Sequence, residues 1–100
     1  MEQPQLNKKL RQRVITDEPE RYNVIMHNDD FTTMEFVVRV LETVFHKERP
    51  EAERLMMQIH TRGKAIVGVY TYDIATTKVM RVEQMAREEN FPLLTTIERV

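Results

Sequence analysis

The stretch HNDDFTTMEF, residues 27–36, sets His27, Asn28, Asp29 and Asp30 side by side and then runs through two threonines into an apolar segment. These amide and carboxylate groups, with the imidazole of His60 farther along in LMMQIH, have the chemistry for catalysis, metal binding, turn formation or capture of a cation. Nucleophilic catalysis needs a nucleophile, a base and an orienting group that converge. The chain offers no cysteine, scattered threonines and no G-x-S-x-G elbow, so an enzyme is not expected. Its glycines, Gly63 and Gly68, cannot build a phosphate-cradling loop. Adjacent residues of an extended segment point to alternate sides, and the EF-hand order of ligands is absent, so neither a metal nor a cofactor is expected.

Two readings of Asn-Asp-Asp stay open. One is a strand-to-helix turn in which these side chains bond their own backbone. The other starts from Thr32 and Glu35, which stand in the T-x-x-E relation of a capping box. If that box caps the helix, Asn28, Asp29 and Asp30 exceed what the helix start requires, and the surplus is available to a ligand. His60 likewise is either a satisfied structural residue at the edge of an apolar helix face or a group facing the polar turn. In the second case Met34, Val37, Met56 and Ile59 supply apolar walls, and Asn28, Asp29 and a neutral His60 supply a rim. Such a pocket suits a cation joined to a hydrophobic group. An α-ammonium, with three donors and one positive charge, has that chemistry at the N-terminus of a peptide.

These side chains need a scaffold. With 100 residues, 41% hydrophobic and 31% charged, the chain suits one globular domain with a modest core. Residues 1–20 carry two prolines, a basic cluster of Lys8, Lys9, Arg11 and Arg13, and then Asp17, Glu18 and Glu20. They read as a flexible extension ahead of a core domain at 21–100. Leu6, Leu10 and Val14 are spaced for a short helix on contact with a partner, although so few apolar groups seldom offset the entropy of ordering. The 15 basic and 16 acidic side chains leave a net charge of −1, and TRGK and KERPEAER are too diluted by acid to form a basic face. Nucleic acid is therefore not an expected partner. No apolar run approaches the roughly 18 residues that span a bilayer, and the polar start lacks the apolar stretch of a secretory leader. A cytoplasmic protein is expected, and the lack of cysteine is compatible with that compartment.

From Tyr22 the segment YNVIMHND alternates and is rich in β-branched and aromatic residues, which predicts a strand ending at the polar cluster. TTMEFVVRVLETVF places Phe36, Val37, Val40, Leu41 and Val44 at helical spacing. RPEAERLMMQIHTRG predicts a second helix, with Pro50 in its first turn, Ala52, Leu55, Met56 and Ile59 on one face, and Gly63 as its C-terminal cap. KAIVGVYTYD predicts a strand that bulges at Gly68. IATTKVMRVEQMAREEN predicts a helix with Ala75, Val79, Val82, Met85 and Ala86 on one face, and PLLTTIERV a closing strand. The order β-α-α-β-α-β has too few strands to be covered on both faces. It points to an α+β fold, a small three-stranded antiparallel sheet with three helices packed on one face.

The blocks NDDFTTMEFVVRVL, AERLMMQIHTRGKAIVGVYTYDIATTKV, ARE and PLLTTIE together resemble ClpS, the adaptor family of bacterial Clp proteases that recognises destabilising N-terminal residues. The resemblance spans about Tyr22 to Glu98 and rests on the N-D-D-x-T-x-M-E-F, L-M-x-x-[IV]-H and G-K-A-I blocks, in the family's order. It implies a monomeric adaptor that binds peptides or proteins beginning with Phe, Tyr, Trp or Leu. Asn28, Asp29 and His60 fall on the positions that hold the α-amino group, Thr32 on the polar edge, and Asp30 on the same motif with a structural part or a direct contact. Met34 falls on a gatekeeper that narrows the pocket against Ile and Val, and Val37, Met56, Ile59 and Leu93 fall on or near the apolar wall. The resemblance also implies docking on the N-terminal domain of a Clp AAA+ unfoldase, ClpA or ClpC, through a charged surface that includes Asp73 and Lys78; otherwise these two are a solvated helix start. The extension at 1–20 corresponds to one the family uses in delivery. Thr33 stands where many members have proline.

A rival reading is an interaction domain of the same shape, such as the C-terminal domain of the ribosomal stalk protein, which would not need Asn-Asp-Asp and His60 on one rim. If His60 accepts a hydrogen bond from an ammonium it must be neutral, so affinity should fall as the imidazole protonates.

Overall fold

The computed structural model of the chain describes residues 19–100. Most of the extension expected at 1–20, including the short helix considered at Leu6, Leu10 and Val14, lies outside those residues. β1 (Arg21–His27) is the middle strand of an antiparallel sheet ordered β2-β1-β3, with β2 at Lys64–Thr71 and β3 at Leu94–Arg99. Alternation turns Val24 and Met26 inward, where they are fully buried. The predicted bulge is present: Val24 pairs with Gly68 and Ile25 with Ile66, leaving Val67 as the extra residue. A Cβ on Gly68 would lie 2.4 Å from the Tyr70 ring, so the glycine lets that ring lie over the strand.

Three helices, α1 (Met34–Thr43), α2 (Arg49–Arg62) and α3 (Tyr72–Glu88), complete the β-α-α-β-α-β order. They cover one face of the sheet, α3 packing on all three strands and α2 on α1 and β2. The opposite face leaves Ile66, Val69 and Leu94 about half exposed. α1 buries Phe36, Val37, Val38, Val40 and Leu41, and α3 buries Ala75, Val82 and Ala86, as their apolar spacing requires. Phe36 meets Phe91 edge to face at 5.0 Å, which fixes the start of α1 against the loop that leads to β3.

Two local expectations need correction. The N-cap of α1 is Thr33 rather than Thr32, and its hydroxyl accepts from the Phe36 amide at 3.2 Å. Thr32 turns the other way and donates its hydroxyl to Asp29, so the capping box with Glu35 does not form. α3 begins at Tyr72, two residues before the Ile74 start the sequence suggested, and the strand ends at Thr71. The early start puts the Asp73 carboxylate in the first turn, where the unpaired amides favour negative charge, and the Thr76 and Thr77 hydroxyls close the turn on the Asp73 carbonyl.

Candidate functional site

The site forms where the pairing of β1 with β2, which ends at His27 and Lys64, is extended by one further backbone contact. Gly63 takes φ 94°, a left-handed value that suits a residue without Cβ, and ends α2. Its carbonyl then accepts from the Asn28 amide at 2.8 Å, which ties the C-terminal end of α2 to the end of β1. His60, in the last turn of α2, is thereby brought opposite the Asn-Asp-Asp segment although far from it in sequence.

Between these elements lies a cavity of about 230 Å³ lined by Asn28, Asp29, Asp30, Thr32, Met34, Val37, Met56, Ile59 and His60. Those residues are all of the pocket and rim set named from the sequence except Leu93. Leu93 is buried in the core one position before β3; because Leu94 pairs with His27 on the outer face, Leu93 points inward, into the same core cluster as Val37 and Ile59. Val37 and Ile59 form a buried floor, Met56 is half-buried, and Met34 stands at the mouth with 43% of its surface exposed. Asn28, Asp30 and His60 are exposed, and their side chains hold no hydrogen bond among the described residues.

Asp29 has two tasks. Its Oδ1 accepts from the amides of Phe31 at 2.8 Å and Thr32 at 2.7 Å, and its Oδ2 accepts from the Thr32 hydroxyl at 2.7 Å. Partial burial pushes this carboxyl up, but the Thr32 hydroxyl and the Thr32 and Phe31 amides outweigh that and hold it below the ordinary carboxylate value. It is therefore ionised at neutral pH. The turn reading of the motif is seen at Asp29. Asp29 closes the strand-to-helix turn, and the acceptors left over are those of Asn28 and Asp30 together with the unused lone pairs of Asp29. The surplus does not come from a capping box, because Thr33 alone caps α1.

Asp73 and Lys78 do not come together in the same way. Five residues apart on α3, they project about 140° from each other around the helix. Asp73 is exposed beside Glu20, Tyr22 and Tyr72. Lys78 is half-buried, and its ammonium donates to the Val44 carbonyl at 2.6 Å and sits 5.4 Å from the Tyr70 ring centre. It is tethered at the end of α1 rather than freely solvated. Beside it opens a wider cleft of about 720 Å³, lined by His46, Lys78, Met80, Arg81, Glu83 and Arg87 among others. Its larger volume reflects a shallow trough between α1 and α3; it lacks the union of apolar floor and acceptor rim found in the smaller cavity.

Among the described residues no group of three His, Asp or Glu side chains is placed to hold a metal ion. No described helix is long and apolar enough to cross a membrane.

Comparison with known proteins points in one direction. A family profile described as ATP-dependent Clp protease adaptor protein ClpS matches residues 17–96. The ATP-dependent Clp protease adapter protein ClpS of Acetivibrio thermocellus is 55% identical over 80 residues, covering 80% of this chain and 81% of that protein. The protein of the same description from Treponema denticola is 54% identical over 83 residues, covering 83% of this chain and 82% of the relative. Among solved structures, Agrobacterium tumefaciens ClpS2 bound to L-phenylalaninamide superposes with a TM-score of 0.80 at 40% identity, covering 83% of this chain and all of that one.

Proposed function

The chain belongs to the ClpS family of adaptor proteins of the ATP-dependent Clp protease, and from that premise we propose that its cavity between β1, α1 and α2 binds the first residue of a protein chain when that residue is Leu, Phe, Tyr or Trp. The observation that carries this reading is the union, in one cavity of about 230 Å³, of a floor made by Val37, Ile59 and Met56 with a rim made by Asn28, Asp29 and His60. That volume suits one large side chain rather than a drug-sized ligand. The relative from Agrobacterium tumefaciens, bound to L-phenylalaninamide, supports it, since that ligand combines an aromatic side chain with a free α-amino group.

Magnitudes divide the work between floor and rim. Burying a Phe or Leu side chain contributes about 1.5–3 kcal/mol, while association costs at least about 4 kcal/mol of translational and rotational freedom. The floor alone therefore gives little affinity. Each hydrogen bond between the ammonium and the rim adds about 1.5–3 kcal/mol. Acetylating the N-terminus removes the charge and two donors and leaves acceptors unpaired, so internal or blocked residues are rejected. Met34, at the mouth, narrows entry against the branched Cβ of Ile and Val.

Delivery follows from the same reading. The adaptor hands the bound chain to the N-terminal domain of a Clp AAA+ unfoldase, ClpA or ClpC, in the cytoplasm, and Asp73 and Lys78 contribute to that docking from two sides of α3. The test is a fluorescence titration with a peptide beginning with Phe or Leu, its N-acetylated copy, and an Ile-initiated copy. Binding of the free Phe or Leu peptide with at least tenfold weaker binding of both controls is expected. Equal binding of all three, or of none, overturns the reading.

A further inference from the structure

Two of the four apolar side chains that line the cavity, Met34 and Met56, are thioethers, and the chain contains no cysteine to intercept an oxidant first. We propose that Met34 and Met56 are sulfoxidation sites, and that their oxidation by peroxide reversibly closes the cavity to N-terminal side chains. This inference rests on the N-terminal-residue reading given above.

Exposure decides which sulfurs react. Met34 is 43% exposed at the mouth and Met56 is half-buried in the wall, whereas Met26 is fully buried in the core. Met57 and Met80 are 45% and 67% exposed but lie outside the cavity lining. The molecule thus carries reactive methionines on and off the site, together with a protected one.

In the reaction the thioether sulfur attacks one peroxide oxygen with its lone pair. The O–O bond breaks as the S–O bond forms, and the departing hydroxide takes the remaining hydroxyl proton to leave as water. Sulfur is oxidised by two electrons and the peroxide is reduced by two. The product is a polar, chiral sulfoxide in place of a flexible apolar group. Its oxygen stands on a wall that must desolvate against a Phe or Leu side chain; Val37 and Ile59 offer it no donor, and a bond to Asn28 or His60 of the same lining would take a rim group from the α-amino end. A sulfoxide reductase removes that oxygen as water at the expense of a dithiol, so the change is reversible.

The experiment starts with affinity of the unoxidised protein for a fluorescent peptide with a free N-terminal Phe, and repeats it after hydrogen peroxide treatment with peptide-mapped mass spectrometry. Sulfoxide at Met34 and Met56 with Met26 intact, an affinity at least about tenfold weaker, and recovery after methionine sulfoxide reductase and dithiothreitol are expected. The Met57→Leu, Met80→Leu double variant keeps its starting affinity and loses it on oxidation as the parent does. The Met34→Leu, Met56→Leu double variant, compared with its own unoxidised state, no longer responds. Unchanged affinity once Met34 and Met56 carry sulfoxide overturns the proposal, as does a response that persists in the Met34→Leu, Met56→Leu variant or oxidation confined to Met57 and Met80. Failure of the unoxidised protein to hold the peptide overturns the N-terminal-residue reading itself, and this inference with it.

Discussion

The cavity at the end of β1 and the charged pair on α3 were both named from short sequence matches, yet the fold treats them differently. At the cavity, residues from one strand end and two helices meet because β1 pairs with the strand that follows α2, a pairing the bond from the Asn28 amide to the Gly63 carbonyl extends. On α3, Asp73 and Lys78 share one helix and still point apart, and Lys78 is already committed to the Val44 carbonyl. Nearness in sequence is a poor guide to a shared site on a helix, where only spacings of three and four align. A tertiary tie between distant segments is what brings side chains around one cavity.

The largest expected effect lies at the cavity. Asp29→Ala removes a charged acceptor and the anchor of the turn, so affinity for a Phe-initiated peptide should fall about 10- to 100-fold. The comparison sharpens if titration separates the two tasks of Asp29. Its carboxyl is held below the ordinary value in the folded protein, so its contribution to stability is complete above the unfolded value near pH ~4 and is lost as pH falls through the lowered folded value. Urea midpoints measured on the acid side should therefore decline less steeply with falling pH in Asp29→Asn than in the parent. Equal slopes would mean that the turn bonds of Asp29 contribute nothing to folding.

Much of this arrangement is legible in the sequence itself. Periodicity found all six elements, because Val24 and Met26 alternate on a strand while Phe36, Val37, Val40 and Leu41 repeat along a helix. Pro50 and Gly63 marked the limits of α2, since each residue suits one end of a helix for a covalent reason. The cap of α1 was less legible, because Thr32 and Thr33 are chemically equal and only the direction taken by Asp29 decides between them. The direction of Leu93 was hidden for a similar reason. A leucine beside a strand start has two faces to choose from, and the pairing of Leu94 with His27 makes the choice. The tether on Lys78 joins residues 34 apart in the chain, and no local pattern encodes it.

The next effect concerns that tether. Lys78→Met keeps the aliphatic stem but removes the donor to Val44, and should lower stability by about 1–2 kcal/mol, read as a shift in the urea midpoint. Asp73→Ala removes an exposed carboxylate from a helix start and should cost only a few tenths of a kcal/mol. If both variants weaken binding to the unfoldase domain while only Lys78→Met weakens the fold, the contrast between the two regions holds. A Lys78→Met variant as stable as the parent would break it, by showing that the ammonium was free for a partner after all.

The last contrast separates adjacent threonines beside the cavity, where affinity should barely move. Thr33→Ala removes the hydroxyl that accepts from the Phe36 amide and should cost about 1 kcal/mol of stability. Glu35→Gln should change stability by a few tenths at most, because no box joins Glu35 to Thr32 and only its favourable charge in the first turn is lost. Neither side chain lines the cavity, so peptide affinity at a temperature well below unfolding should stay within about twofold of the parent in both. Thr32→Ala, by contrast, frees Oδ2 of Asp29 and alters the acceptor that the rim presents, so its effect should appear in affinity as well as in stability. Were Glu35→Gln to cost as much as Thr33→Ala, the capping box would exist in solution. Asp29 would then be relieved of its turn duty, and the rim would hold its full carboxylate for the ligand.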